Sequence, residues 1–156
     1  MRDLLRALGA DVERLSADET AQLQIRWREE FAGDITDVPL ATSSGGYDWH
    51  VFSYERVFAV VGDEAVREYA SCSAREFWVL PHGRNGGLAV RSDVLPDLRR
   101  RRRDAYVVPK DFEWTMVYTH EAEFGPYFTT RAWVQTKVPS ARANPAQQPP
   151  RPEARG

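Results

Sequence analysis

Cysteine is almost absent from this chain: Cys72 is the only one in 156 residues. No intramolecular disulfide can form, which excludes a secreted disulfide scaffold and fits a reducing compartment. Long apolar runs are also missing. The longest, Val57 to Val61, falls far short of the ~20 residues that a membrane-spanning helix requires. The N-terminal stretch MRDLLRALGADVERL breaks its apolar residues with charges every few positions, so no signal peptide is expected. These absences predict a soluble, cytoplasmic protein. There are only three histidines, and no complete metal motif, nucleophile triad or phosphate loop is legible. The net charge of -2 is small but uneven: four basic residues and one acid lie from Lys137 onward, leaving 17 basic against 22 acidic residues before it. An acidic body is poorly suited to general nucleic-acid binding, where phosphate attraction dominates affinity.

Hydrophobic residues make up 42% of the chain and charged residues 28%, values of an ordinary folded domain. At this length one domain hides roughly 70% of its unfolded surface, enough for a substantial core. Five Trp, six Tyr and seven Phe supply core mass or a recognition surface. The last twenty residues hold five of the ten prolines and no aromatic residue, so they cannot offset their chain entropy by burial. The expected division is a globular domain over 1–136 and a disordered Pro/Ala/Arg-rich tail over 137–156. A linker-like tail is favoured over a ligand for an aromatic groove.

Leu4, Leu5 and Leu8 predict a short amphipathic helix. Ser16 and Glu19 then form a capping-box pattern before Leu23, Trp27 and Phe31, an inner face repeating every four residues. Asp34 to Gly46 is polar and reads as a loop. Tyr47 to Ser53 alternates, with Tyr47, Trp49 and Val51 on one side and Asp48, His50 and Phe52 on the other, which predicts a strand. Val57 to Val61 is ambiguous between strand and loop. Asp63 is expected to cap a helix to about Ser71, with Val66, Tyr69 and Ala70 inward. Phe77 to Leu80 and Leu88 to Val90 flank HGRNGG, where Asn85-Gly86 suits a hairpin turn. Ser92 to Arg103 reads as a helix entered at Pro96 and ending in arginines. Ala105 to Val108 and Phe112 to Tyr118 form a second hairpin around Pro109-Lys110-Asp111. The pattern predicts an α+β single domain with a mostly antiparallel sheet and helices packed on one face.

The segments YDWHVFSYE (Tyr47 to Glu55) and DFEWTMVYTHE (Asp111 to Glu121), followed by GPYF (Gly125 to Phe128), resemble an uncharacterised bacterial family known only as a domain of unknown function. The strings W-H-V-F-S-Y-E and W-T-x-V-x-T-H-E carry most of the similarity, which spans roughly Trp27 to Phe128. The resemblance implies a fold and a shared surface, and no activity.

Phe112 to Phe128 concentrates the chemistry. A metalloprotease helix needs a second histidine four residues after His120, and Phe124 stands there. A zinc site would have to draw on His50, His82 or Asp48 from elsewhere, so no metal and no cofactor are expected. His120 and Glu121, with His50 from a neighbouring element, are the candidate acid-base groups, although a structural role in closing the strand is favoured for the first two. Asp48 is an alternative partner for His50. Cys72 lies near a helix end with nothing to activate it, Ser53 and Ser73 lack a nucleophile elbow, and GRNGG is a hairpin turn. Arg99, Arg100, Arg101, Arg102 and Arg103 form a basic patch whose simplest reading is a solvated helix end.

The leading expectation is a protein-binding module of immunity or regulatory kind. Its aromatic and acidic surface would comprise Trp49, Tyr54, Trp114, His120, Glu121 and Tyr127, because Trp and Tyr dominate such contacts. The alternative is a cofactor-independent hydrolase using His120 and Glu121. A weaker one is nucleic-acid association through Arg99 to Arg103.

Overall fold

The computed structural model describes residues 1–32, 48–83, 86–101, 103–121 and 123–136. The expected loop at Asp34 to Gly46, Tyr47, Asn85 of the first hairpin turn, Arg102 and the tail from Lys137 lie outside the described residues. In chain order the elements are α1 (Arg2–Ala7), β1 (Asp11–Arg14), α2 (Ala17–Phe31), α3 (His50–Ser53), β2 (Val60–Val61), α4 (Asp63–Ser71), β3 (Glu76–Pro81), β4 (Leu88–Arg91), β5 (Ala105–Pro109), β6 (Trp114–Tyr118), β7 (Tyr127–Thr130) and α5 (Arg131–Gln135). The strands form one seven-stranded sheet in the order β1-β4-β3-β5-β6-β7-β2, with every pairing antiparallel. The chain is thus an α+β domain, as its pattern of adjacent strands predicts.

Strand alternation sends successive side chains to opposite faces, and two cores result. Phe77, Val79, Val107, Met116 and Phe128 face one side, where they meet Leu5 of α1 and Ala65 and Tyr69 of α4. Leu80, Tyr106, Val108, Val117 and Tyr127 face the other, against Trp27 and Phe31 of α2 and Val51 and Phe52 of α3. Helices therefore contribute to both faces, not to one. A sheet whose central strands β5 and β6 are buried at every position needs cover on both sides.

The second helix forms as its sequence dictates. Ser16 Oγ accepts the Glu19 N–H at 3.2 Å while Glu19 Oε2 accepts the Ser16 N–H at 2.8 Å, closing the capping box. Trp27 and Phe31 are fully buried and Leu23 packs beside them. Trp27 makes ring contacts with Phe31, Phe52 and Tyr106, and its indole N–H donates to Thr115 Oγ1 at 2.9 Å. Gln24 donates to the carbonyls of Pro81 and Gly83, tying the helix to the end of β3. Close approach makes Gly87 a requirement: a Cβ there would lie 2.6 Å from Thr20 Oγ1.

Two expected elements differ. Trp49 to Ser53 is a helical turn rather than a strand. Trp49, Val51 and Phe52 all enter the same core, and a strand would send Val51 and Phe52 to opposite faces. Within the expected helix from Ser92 to Arg103, the described residues 92–101 and 103 are not helical. The Ser92 hydroxyl accepts the Val94 N–H and the Asp97 carboxylate accepts the Arg99 N–H, local bonds that compete with a helix. The Pro96 carbonyl meanwhile accepts from the hydroxyls of Tyr69 and Tyr118. In α4, Ala65 rather than Ala70 joins Tyr69 inside, and Gly62 is the N-cap.

Candidate functional site

At one end of the sheet the β5–β6 register pairs Ala105 with Tyr118. Continuing that register sets Asp104 opposite Thr119, and its carboxylate reaches the next residue, His120. Asp104 is buried, and its Oδ1 accepts both the His120 backbone N–H at 2.8 Å and the ring at Nδ1, 2.9 Å away. Where Asp104 is ionised, a bond at this distance requires the hydrogen on Nδ1. Nε2, the other ring nitrogen, lies 3.5 Å from Glu121 Oε1. The imidazole thus lies between a buried and an exposed carboxylate, the arrangement that fixes a histidine tautomer and orientation. The turn beyond is closed by the Phe124 N–H donating to the Glu121 carbonyl at 3.0 Å, with the Thr119 hydroxyl against the carbonyls of Glu121 and Phe124.

The helical turn α3 brings a second group to this place. Trp49 is buried, with its indole 4.1 Å from the His50 ring, 6.3 Å from His120, 6.4 Å from Phe124 and 6.3 Å from Tyr127, measured between centroids. His50 in turn stacks on Tyr54 at 5.2 Å. Tyr54 and Phe124 are 56% and 47% exposed, so an apolar rim reaches solvent over a buried indole. Beneath it Asp48, also buried, pairs with Arg28 of α2 at 3.0 Å. Tyr106 is enclosed there, and burial, then the Asp48 and Asp104 carboxylates, push its phenol well above the ordinary range. Burial and then Glu121 raise the Tyr127 phenol.

Of the residues expected to share an exposed surface, Tyr54 and Glu121 are exposed and His120 half-buried. Trp49 and Tyr127 are buried beneath them. Trp114 lies on the opposite face, against Tyr69 at 5.5 Å and Phe128 at 6.2 Å, and so is corrected from surface to core. The large apolar area of an aromatic side chain explains all three misplacements of Trp49, Trp114 and Tyr127: aromatic residues beside polar ones look like a surface in sequence, but the strands turn Trp114 and Tyr127 inward and the helical turn α3 does the same for Trp49. The acid-base candidates His120, Glu121 and His50 do come together around Trp49. Sequence reasoning missed Asp104. The expected β5–β6 hairpin carries the signal, because extending its register places the acid before β5 opposite Thr119, one residue from His120. It also missed Phe124 as part of the rim.

Ser53 sits beside His50 in the site, and the remaining candidates lie elsewhere. Ser53 Oγ donates to the His50 carbonyl at 3.3 Å and lies 3.2 Å from His50 Nδ1. Cys72 donates to the Glu68 carbonyl at 3.4 Å, and burial followed by the Glu68 charge pushes the thiol up to about 11, the reverse of activation. Arg99 holds Asp97 through two side-chain nitrogens, the shorter contact being 2.6 Å, while Arg100, Arg101 and Arg103 are exposed on a bent segment. Among the described residues, no group of three His, Cys, Asp or Glu is placed to hold a metal ion, and no helix is long and apolar enough to cross a membrane.

The fold and site define a small α+β domain in which a turn-anchored histidine and an aromatic rim meet at one end of an antiparallel sheet. A family model described as a domain of unknown function (DUF4275) matches residues 10–128, and the chain belongs to this family. No curated protein and no solved structure matches it.

Proposed function

We propose that this domain is a protein-binding module, of immunity or regulatory kind and acting in the cytoplasm, whose contact surface is the rim of Tyr54, Phe124, His50, His120 and Glu121. The observation that supports it is the continuity of the rim: exposed Tyr54 and Phe124 are joined through His50 and the buried Trp49 by ring contacts of 4.1 to 6.4 Å. Rings held rigidly from below lose little entropy on binding, and aromatic anchors carry much of the energy of protein contacts. Glu121 adds a carboxylate at the edge, which favours a basic partner. The test is affinity capture with wild type against Tyr54→Ala/Phe124→Ala. Loss of a partner from the variant, with its melting temperature unchanged, supports the reading; equal capture by both contradicts it.

A hydrolase is the second reading, favoured by the Asp104–His120 pair. Asp104 would orient the ring and His120 Nε2 would act as base, with Glu121 beside it. His120→Gln should then abolish any esterase or peptidase activity found in a substrate screen, and Asp104→Asn should shift its pH profile. An activity unaffected by both rules this reading out.

A further inference from the structure

The two edges of the sheet are guarded differently. β1 ends one side and carries exposed Asp11, Glu13 and Arg14, charges of the kind that keep an open edge from pairing with another chain. β2 ends the other side, inside an uncharged stretch from Val57 to Gly62, and among the described residues no strand lies beyond it. Phe58 and Val61 are 53% and 52% exposed there.

The register shows which backbone groups this edge offers. Val60 pairs with Phe128 and Val61 with Tyr127, while the Gly62 N–H donates to the Pro126 carbonyl at 2.9 Å. The Thr129 hydroxyl donates to the Phe58 carbonyl at 2.8 Å. The Gly62 N–H and the Phe58 carbonyl thus face β7, as do the backbone groups of Val60 between them. Alternation along an antiparallel ladder then turns the N–H and carbonyl of Ala59 and Val61 outward.

We propose that β2 pairs with β2 of a second copy of this chain, antiparallel about a two-fold axis at Val60. Ala59 then lies opposite Val61 of the copy, and the two such pairs exchange about four hydrogen bonds. Three features fit a second copy. A symmetric contact brings residues near its axis against their own kind, and an uncharged stretch meets no like charge there. The Phe58 ring comes opposite Gly62 of the copy, a position where even an added Cβ would meet nothing within 4 Å. The antiparallel sense also sets Arg56, at one end of the stretch, toward Asp63 and Glu64 at the other end in the copy. Neither Phe58 nor Val61 belongs to the rim, so the contact is separate from the protein-binding reading.

The test is sedimentation velocity of the full chain from about 1 to 300 µM, a span suited to a small interface, with amide exchange of Val60 and Val61 measured at both extremes. The chain should pass from monomer to dimer as concentration rises. The Val61 amide should exchange at least about tenfold more slowly at the high concentration, and Val60, already bonded to β7, should respond much less. Val61→Lys, at an exposed position, should stay monomeric with its far-ultraviolet circular dichroism unchanged, because it sets like charges beside the axis. Glu13→Lys, on the other edge, should dimerise as the wild type does. The exchange comparison needs no variant, so it decides the matter even if Val61→Lys fails to fold. A wild type that is monomeric at the highest concentration overturns the proposal. So does a dimer whose Val61 amide exchanges as in the monomer, which would place the contact elsewhere. Equal protection of Val61 at both concentrations overturns it too, since the edge would then be covered without a second copy.

Discussion

On the face covered by α2 and α3, polar groups are carried to the edge of the core and left half open: Asp104 is buried, but the His120 ring it holds reaches solvent beside Glu121. On the face covered by α4, polar groups are enclosed and consumed: the hydroxyls of Tyr69 and Tyr118 both end on one carbonyl. The same alternating strands supply both faces, so the difference comes from what lies over them. A helical turn carries His50 and Tyr54 to the edge of the core, whereas the bent 92–101 segment inserts Pro96 and Leu98 and uses the polar groups internally. The proposed protein contact accordingly uses the first face.

The largest expected effect tests whether both cores carry comparable weight. Trp27→Ala on one face and Phe77→Ala on the other should each cost about 3–5 kcal/mol in urea unfolding, as deletions of fully buried aromatic residues do. A loss below about 1 kcal/mol for one of them would mean that its face is not a true core. Next, Asp104→Ala strands two donors of His120 and should cost about 2 kcal/mol. Tyr118→Phe should cost less, about 1 kcal/mol, because Tyr69 still satisfies Pro96. Double-mutant analysis of Tyr69→Phe with Tyr118→Phe should accordingly be non-additive. If Tyr118→Phe proves more costly than Asp104→Ala, the contrast between a supported site and a self-contained pair fails.

The smallest effect concerns pH. The folded chain holds the Cys72 proton more tightly than the unfolded chain, so this group contributes its full stability below the ordinary thiol range and loses it as pH rises toward 11. Alkylation of the folded protein should show a midpoint near pH 11, returning to the ordinary range in urea. A folded midpoint near the unfolded one would show that the wall around Cys72 is open.

Local chemistry made much of this fold legible. Ser16 and Glu19 announced α2, the spacing of Leu23, Trp27 and Phe31 gave its inner face, and both hairpins pair as their apolar runs and turns suggest. What failed was tertiary in origin. WHVFS alternates like a strand, yet one core draws in residues 49, 51 and 52 together. β1 has a single buried residue, Val12, in DVER, and so shows no alternation; its partner β4 alone explains it. At the site, His120, Glu121 and His50 were readable as residue types that carry chemistry. Asp104 was hidden among arginines, and burial reversed the roles expected of Trp49, Trp114 and Tyr127.

The most direct test of the proposed binding surface is capture from host lysate by the full chain, wild type against Tyr54→Ala/Phe124→Ala, with Trp114→Phe as a conservative control on the other face. The two rim substitutions are at exposed side chains and should change stability by no more than about 0.5 kcal/mol each. The account predicts that a partner bound by wild type and by Trp114→Phe is lost from the rim variant, with affinity reduced about thirtyfold or more. A partner retained by the folded rim variant would contradict it.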